Sequence, residues 1–376
     1  MSAGALVPLL SGAVPLPTPD PLGYPVPAPL LQLLSHFTLS LHFLAVNFTL
    51  GALMLLLWTK IVRQPQHATA SGFLRASLPL GFSYLVTLGI PPLLFVQVVY
   101  GQLFYTSSVI VGAFWILIIP ALILSYGLLY LHKLTDATRP RRQPAFLAVA
   151  LLGMLYVGFM YVNNITLSMH PERWMGLYAA SPAGANLHLA EPTLFPRWLL
   201  LLSPALVVAG AALSLAGRLL DRWKNADGPA TALLGLRAHL LGRGVMLLCA
   251  VALIATLPND IRQFAFADGR TFIHLLAGLA AALCVTTLVV VGNRRKSLPL
   301  SIAGIALLGL EGMSFVAARD FVRLAYLKEH FSLTDVPVHP QWGMLTIFLV
   351  SMVAGLAFLV VLTVKVTRRA ITAKVS

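Results

Sequence analysis

His36 and His42 stand six residues apart inside an apolar run that extends roughly over 28–60. Burying an imidazole among apolar side chains costs free energy, so such a residue marks a possible site. A neutral imidazole nitrogen can ligate heme, bond a quinone head, relay a proton, or glue one helix to another. Residue type alone leaves these readings open. On a helix, Ser35, Thr38, His42 and Thr49 share one face, while Gln32, His36, Ser40 and Asn47 share another about 120° away. One histidine can thus face a cofactor while the other faces a neighbouring helix or lipid headgroups.

Other polar residues gather at one end of the apolar runs. Gln97 and Gln102 close the second run, and Tyr100, Tyr105, Thr106, Ser107 and Ser108 surround the short turn expected after it. Asn163 and Asn164 end the fourth run, and His274 begins the seventh. Glu311, followed by Met313, lies in the middle of the eighth. A carboxylate buried there can accept a proton or help hold a metal centre, or it can serve only as a hydrogen-bond partner to another helix. Arg319 and Arg323, at i and i+4, suit an anionic group, although Asp320 and Arg323 are also spaced to pair with each other. Between Pro21 and Thr135 there is no Asp or Glu, so the first three helices cannot carry a carboxylate proton relay.

The elements that position these residues are nine apolar runs, at about 28–60, 73–101, 104–132, 145–168, 197–220, 238–257, 271–293, 298–327 and 341–366. Most hold the ~20 residues needed to cross a bilayer, and hydrocarbon allows only helices to do so here. The expected fold is an all-α polytopic membrane bundle. Most of the 26 Lys and Arg fall on alternate connections: Lys60, Arg63 and Arg75; Lys133, Arg139, Arg141 and Arg142; Arg218, Arg222, Lys224, Arg237 and Arg243; Arg294, Arg295 and Lys296; then Lys365, Arg368, Arg369 and Lys374. The other connections hold only Arg173, Arg197, Arg262, Arg270, Arg319, Arg323 and Lys328. By the positive-inside rule the N-terminus is outside and the C-terminus cytoplasmic. Of the ten histidines, His36, His42, His170, His188, His274, His330 and His339 map to the outer half or outer loops, and His67, His132 and His239 to the inside.

Composition narrows the function classes. With 58% hydrophobic and 10% charged residues, the net charge of +14 is explained by loops facing anionic lipid rather than by nucleic acid. Cys249 and Cys284 lie in expected spans without metal or redox spacing, and read as packing residues. No internal repeat or long linker divides the chain, so residues 28–376 form one membrane domain behind a Pro-rich external arm, 1–27, which lacks the pattern of a cleaved signal and lies on the surface. The long outer connection 169–196, containing His170, Glu172, Trp174, His188 and Glu191, is expected to cap the outer face as an interfacial segment. With 320–340, which carries Tyr326, His330 and His339, it offers a docking surface for a partner outside the membrane.

The stretch Leu41-His42-Phe43-Leu44-Ala45-Val46-Asn47-Phe48-Thr49-Leu50-Gly51 resembles the first-helix motif of cytochrome bd quinol oxidase subunit I. The resemblance implies that His42 ligates a b-type heme, and nine helices with the N-terminus outside suit that family. Leu94–Gln102 and the following stretch to Gly112 are similar to its second-to-third helix region, and Asn163-Asn164 stands where the family has Ala-Asn-Gly-Trp. The likeness covers about the first 170 residues. Several family features are missing. The paired glutamates of the second and third helices have no counterpart, a fifth-helix histidine is replaced at Leu200 or Leu201, the quinol loop shrinks to about 258–270, and Gly-Arg-Gln-Pro-Trp is absent. Oxygen reduction by that mechanism is therefore not expected.

The resulting expectation is a b-type cytochrome-like subunit of a respiratory complex in the bacterial inner membrane, passing electrons from membrane quinol to an extracytoplasmic c-type cytochrome or another subunit in a hetero-oligomer. A quinol slot needs a donor and an acceptor for its two oxygens, and Gln97, Tyr100, Gln102, Asn163 and Asn164 can supply them. Heme ligation and contact fall to His42, His36, His274, Met313, Arg319 and Arg323, with Glu311 as the proton-handling residue. A cofactor-free anchor subunit remains an alternative. So does a small-molecule transporter, although the Gly89-Ile90-Pro91-Pro92 break has no mate in the other half.

Overall fold

A computed structural model describes residues 16–18, 20–135, 142–223 and 225–372, with side chains as far as 365. The basic residues Arg139, Arg141, Lys224 and Lys374, the side chains of Arg368 and Arg369, and the first 15 residues of the arm lie outside that description. Among the described residues nine spans are long and apolar enough to cross a membrane. They are α1 (Ala28–Val62), α2 (Ala68–Ile110), the short α3 (Gly112–Trp115) with α4 (Ile118–Thr135), α5 (Gln143–Ser168), α7 (Leu194–Leu202) with α8 (Pro204–Arg222), α9 (Gly228–Thr256), α11 (Gly269–Arg294), α12 (Leu298–Leu327) and α13 (Trp342–Thr372). Two short helices, α6 (Trp174–Ala180) and α10 (Asn259–Ala267), sit in connections.

The spans alternate in direction, which gives the bundle two faces. One, called here the histidine face, carries residues 20–27, 169–193, 257–268 and 328–341; the basic face carries 63–67, 223, 225–227 and 295–297. Contacts across the chain fix this arrangement. Tyr24 donates its N–H to Pro337 O (2.8 Å) on the first face, and Thr69 Oγ1 donates to Asp227 Oδ2 (2.5 Å) on the second. The described end of the arm is not simply laid on the surface. Tyr24 and Val26 are buried, Tyr24 Oη donates to Val99 O (3.2 Å), and burial pushes the Tyr24 hydroxyl up to about 12.

Sequential helices pack as pairs, most closely α8 with α9, α11 with α12 and α1 with α2. In lipid, apolar burial does not drive helices together, so close approach depends on small residues that maximise contact. The α8–α9 seam illustrates this. A Cβ added at Gly235 would meet Ser214 N at 2.2 Å, and one at Gly210 would meet His239 N at 2.4 Å. The same close approach joins α1 to α8, where a Cβ at Gly51 would come within 2.0 Å of Ala205 O.

Four features depart from the sequence reading. The second span runs without a turn to Ile110, so Tyr105–Ser108 lie in its last turns rather than around a loop, beyond Gln102 at the end of the expected run. Pro91 and Pro92 do not break it; the one non-helical backbone is at Tyr100 (φ −126°, ψ 28°), where the helix kinks. The sixth span begins ten residues earlier than its apolar run, which draws Arg237 into a helix and places His239 and Arg243 well inside the bundle. Arg237 itself is exposed, so the helix carries its charge outward without burying it. Finally, Cys284 is exposed on the bundle exterior rather than packed inside; both cysteines are free.

Candidate functional site: a buried carboxylate ringed by His36, Tyr100 and Arg323

The Gln32–His36–Ser40 face of α1 packs on α12, as its shared helical stripe requires. Ser40 Cβ lies 3.9 Å from the position a Cβ would take at Gly312. One and two turns nearer the histidine face, both polar side chains reach Asp320. His36 Nε2 donates to Asp320 Oδ2 at 3.0 Å, and Gln32 Nε2 donates to the same oxygen at 3.3 Å. From α2, Tyr100 Oη donates to Asp320 Oδ1 at 2.9 Å, and the kink at Tyr100 falls at this contact. Arg323 Nη1, one turn along α12, stands 3.9 Å from Oδ1, and its guanidinium lies 4.3 Å above the Tyr100 ring. A charged carboxylate in a low-dielectric interior persists only when paired and hydrogen-bonded, and here four groups from three helices do that. His36, Tyr100, Asp320 and Arg323 are each less than 10% exposed.

The surrounding rings extend the cluster. Phe321 stands between two histidines, with ring centroids 6.2 Å from His36 and 5.7 Å from His274. Arg270 lies over the Phe321 ring at 5.1 Å. Nearby, α10 borders an open groove of about 680 Å³ lined by Arg262, Gln263, Phe266 and Ala267. Because an ionised carboxylate only accepts, His36 must carry its proton on Nε2, leaving the lone pair of the neutral ring on Nδ1. The cluster is thus a base already oriented by a carboxylate, a form suited to taking a proton from a hydroxyl.

His42 faces α2 instead. Its Nδ1 donates to Leu85 O at 3.1 Å, and the ring seats against Gly89, where a Cβ would come within 3.0 Å of Cε1. Nδ1–H bonded to a backbone carbonyl leaves Nε2 as the ligand atom, the arrangement that holds metal-ligating histidines in orientation. His42 Nε2 makes no hydrogen bond among the described residues, so that nitrogen is free to act as a ligand atom. His239 is anchored in the same way to Val207 O (2.9 Å), but its Nε2 already lies 3.4 Å from Thr286 Oγ1 in a fully buried setting, which makes it interhelical glue.

The remaining residues singled out from sequence go to other places. Glu311 is buried and its two oxygens are taken by Arg243 of α9, Nη2 donating to Oε2 at 2.6 Å and Nη1 to Oε1. Sequence reading put Arg243 in a basic connection and offered a polar side chain as Glu311's ordinary partner; the partner is a cation. Met313 is half-buried and, at two residues from Glu311, lies on the far side of α12 by the ~100° turn per residue. Arg319 makes no ion pair or hydrogen bond among the described residues, so of the expected arginine pair only Arg323 is committed. Gln97 and Gln102 are half-buried on α2. Asn164 Nδ2 donates to Ser108 Oγ (2.9 Å), and Asn163 Oδ1 accepts from His188 N (3.4 Å). The five residues expected to line one quinol slot are therefore split, with Tyr100 in the Asp320 cluster and the asparagines under the outer connection.

That connection folds over the bundle end, as an interfacial cap should. A 3-10 turn (Pro171–Arg173) leads into α6, and buried Trp174 donates Nε1–H to Leu167 O at 3.0 Å. Within it, His170, His188 and Glu191 bring one ligand atom each to within 4.8 Å of one another. Burial, with the His170 ring and Arg173 nearby, lowers the His188 pKa despite the opposing pull of Glu191 and Glu172. Among known proteins, no family model matches the chain and no curated protein is similar to it.

Proposed function

We propose that the chain is a quinol-oxidising electron-transfer subunit, with the histidine face turned outward from a bacterial plasma membrane. The observation that carries this reading is the His36–Asp320 pair, buried between three helices and flanked by Tyr100 and Arg323. Quinol oxidation must lose protons as well as electrons, and a base at one membrane face gives those protons a direction. In this reading the ring enters beside Phe321 and α10, a quinol hydroxyl gives its proton to His36, and Asp320 stabilises the imidazolium that forms. Tyr100 and Gln32 hold the carboxylate so that it does not rotate away. A b-type heme on His42 would supply one-electron acceptance, with His42 oriented by Leu85 O and seated by Gly89. His36 and His42 lie about 9 Å apart along the helix axis, from 1.5 Å per residue. The outward assignment of the histidine face rests on the basic residues of the opposite face. An extracytoplasmic cytochrome or a second subunit docked on the cap then receives the electrons.

The test compares wild type with Asp320→Asn and His36→Gln for reduction of the bound pigment by a short-chain quinol. Loss of a positioned base slows reduction about 100-fold or more, while the oxidised spectrum is unchanged. A wild type that quinol does not reduce, or variants that react at the wild-type rate, would overturn the proposal.

A further inference from the structure

We propose that His170, His188 and Glu191 form a binding site for a divalent transition-metal ion, Zn²⁺ by its donor set, on the cap between α5 and α7. It stands apart from the redox reading above. His170 follows the end of α5, and His188 and Glu191 lie in the segment that returns over the bundle end toward α7. Glu191 Oε2 is 3.6 Å from His170 Nε2 and 3.8 Å from His188 Nε2. Both contacts exceed hydrogen-bond length. Ligand bonds of about 2.05 Å in tetrahedral geometry place neighbouring donor atoms about 3.3 Å apart. The two carboxylate–imidazole separations exceed this by only a few tenths of an ångström, and all three donor atoms lie within 4.8 Å of one another, so a small inward shift of the side chains would close the triad on a cation.

Two further observations point to a ligand rather than to ordinary packing. Among the described residues neither imidazole Nε2 atom, both buried, has a hydrogen-bond partner, and the His188 side chain is only 6% exposed. Buried polar atoms in folded proteins are seldom left so, and two aimed at one carboxylate oxygen need a common partner. In His170 and Glu191 the other side-chain atoms are already engaged. His170 Nδ1 donates to Glu172 Oε1 at 2.9 Å, which puts the free lone pair on Nε2. Glu191 Oε1 accepts from Thr193 Oγ1 at 2.8 Å and from Thr193 N at 3.4 Å, which leaves Oε2 for the ion. Thr193 Oγ1 in turn accepts from Arg197 Nε at 2.9 Å. The His188 backbone N–H is held by Asn163 Oδ1. Carboxylate behind histidine and hydroxyl behind carboxylate are the supports that orient a metal's ligands. Two nitrogens and one oxygen leave a fourth position for water or a partner's side chain. Bound there, the ion would staple the cap to the end of α5.

The test uses the full chain purified in detergent, stripped with chelator, dialysed and titrated with Zn²⁺ and with Co²⁺. Wild type should bind about one equivalent per chain, with the visible ligand-field absorption of four-coordinate Co²⁺. Glu191→Gln and His188→Ala should abolish that absorption, and Glu172→Gln should weaken affinity about 10–100-fold. His339→Ala, in a different outer segment, should leave it unchanged. If His188→Ala does not fold, Glu191→Gln decides the matter, because it keeps the volume and changes one atom. A stripped wild type that takes up no metal, binding that survives Glu191→Gln, or binding that His339→Ala removes would each overturn the proposal.

Discussion

Breaking the Arg243–Glu311 pair should be among the most damaging single changes available in the spans. The guanidinium and carboxylate meet through two bonds between α9 and α12, with side-chain exposures of 14% and 6%. For charges about 4 Å apart at an effective dielectric of about 20, the attraction is roughly 4 kcal/mol. Removing one partner loses that attraction and leaves the other charge unpaired among apolar side chains, so Arg243→Met or Glu311→Leu should each cost about 3–5 kcal/mol. Replacing both removes the unpaired charge, and Arg243→Met with Glu311→Leu should return to within about 1 kcal/mol of wild type. The assay is a thermal melt of the four proteins in one detergent, followed by intrinsic fluorescence. Single variants that melt with wild type, or a double variant no better than the worse single, would refute the reasoning. The first result would mean that water reaches the pair; the second, that the side-chain shapes matter rather than their charges.

Three other outcomes follow from the packing. Gly235→Val should separate α8 from α9, because even a Cβ there meets Ser214 N at 2.2 Å; a loss of about 3 kcal/mol or more, read as a lower melting temperature, is expected, and an unchanged melt would show that the seam is slack. Asp268 caps α11, its Oδ2 accepting from Thr271 N (2.9 Å) and Thr271 Oγ1 (2.8 Å), so Asp268→Ala should cost about 1 kcal/mol. Burial alone would raise the Asp268 pKa, but the Thr271 bonds and Arg270 hold it below the usual carboxylate value of 3.8. A depressed pKa means that the cap's contribution is complete above pH 3.8 and fades as pH falls through the lower folded value; hydrogen exchange at the start of α11 should report that loss, and protection independent of pH between 5 and 2 would count against it. A fluorescent protein fused after Ser376 should fold and fluoresce in the cytoplasm, while alkaline phosphatase there should be inactive; the reverse would invert the membrane orientation.

The spans could be read from the chain because hydropathy and helical period are local properties. Their ends were less legible. The sixth apolar run begins only after Arg237, whereas the helix starts at Gly228, and the partners of Arg243 and His239 on α12, α8 and α11 are not displayed in the sequence. Likewise Tyr105–Ser108 look like turn chemistry, yet three of their hydroxyls bond back along α2: Thr106 Oγ1 donates to Gln102 O, Ser107 Oγ to Leu103 O and Ser108 Oγ to Phe104 O. The Gln32–His36 stripe was visible as a stripe, but its partner Asp320 lies 284 residues from His36. Its nearest sequence clue was the spacing to Arg323. His170, His188 and Glu191 each stood out as unusual in an outer loop. Their convergence depends on how that loop folds back, and with only a 3-10 turn and the two-turn helix α6 between them, residues 18 apart share no single period to read.

The most direct measurement is a reduced-minus-oxidised absorption spectrum of the purified protein and of its His42→Ala variant. The account expects a b-type band in the wild type that is lost or displaced in the variant, because His42 Nε2 is the atom left free to hold the iron. A colourless wild type, or a band unaltered by His42→Ala, would contradict it.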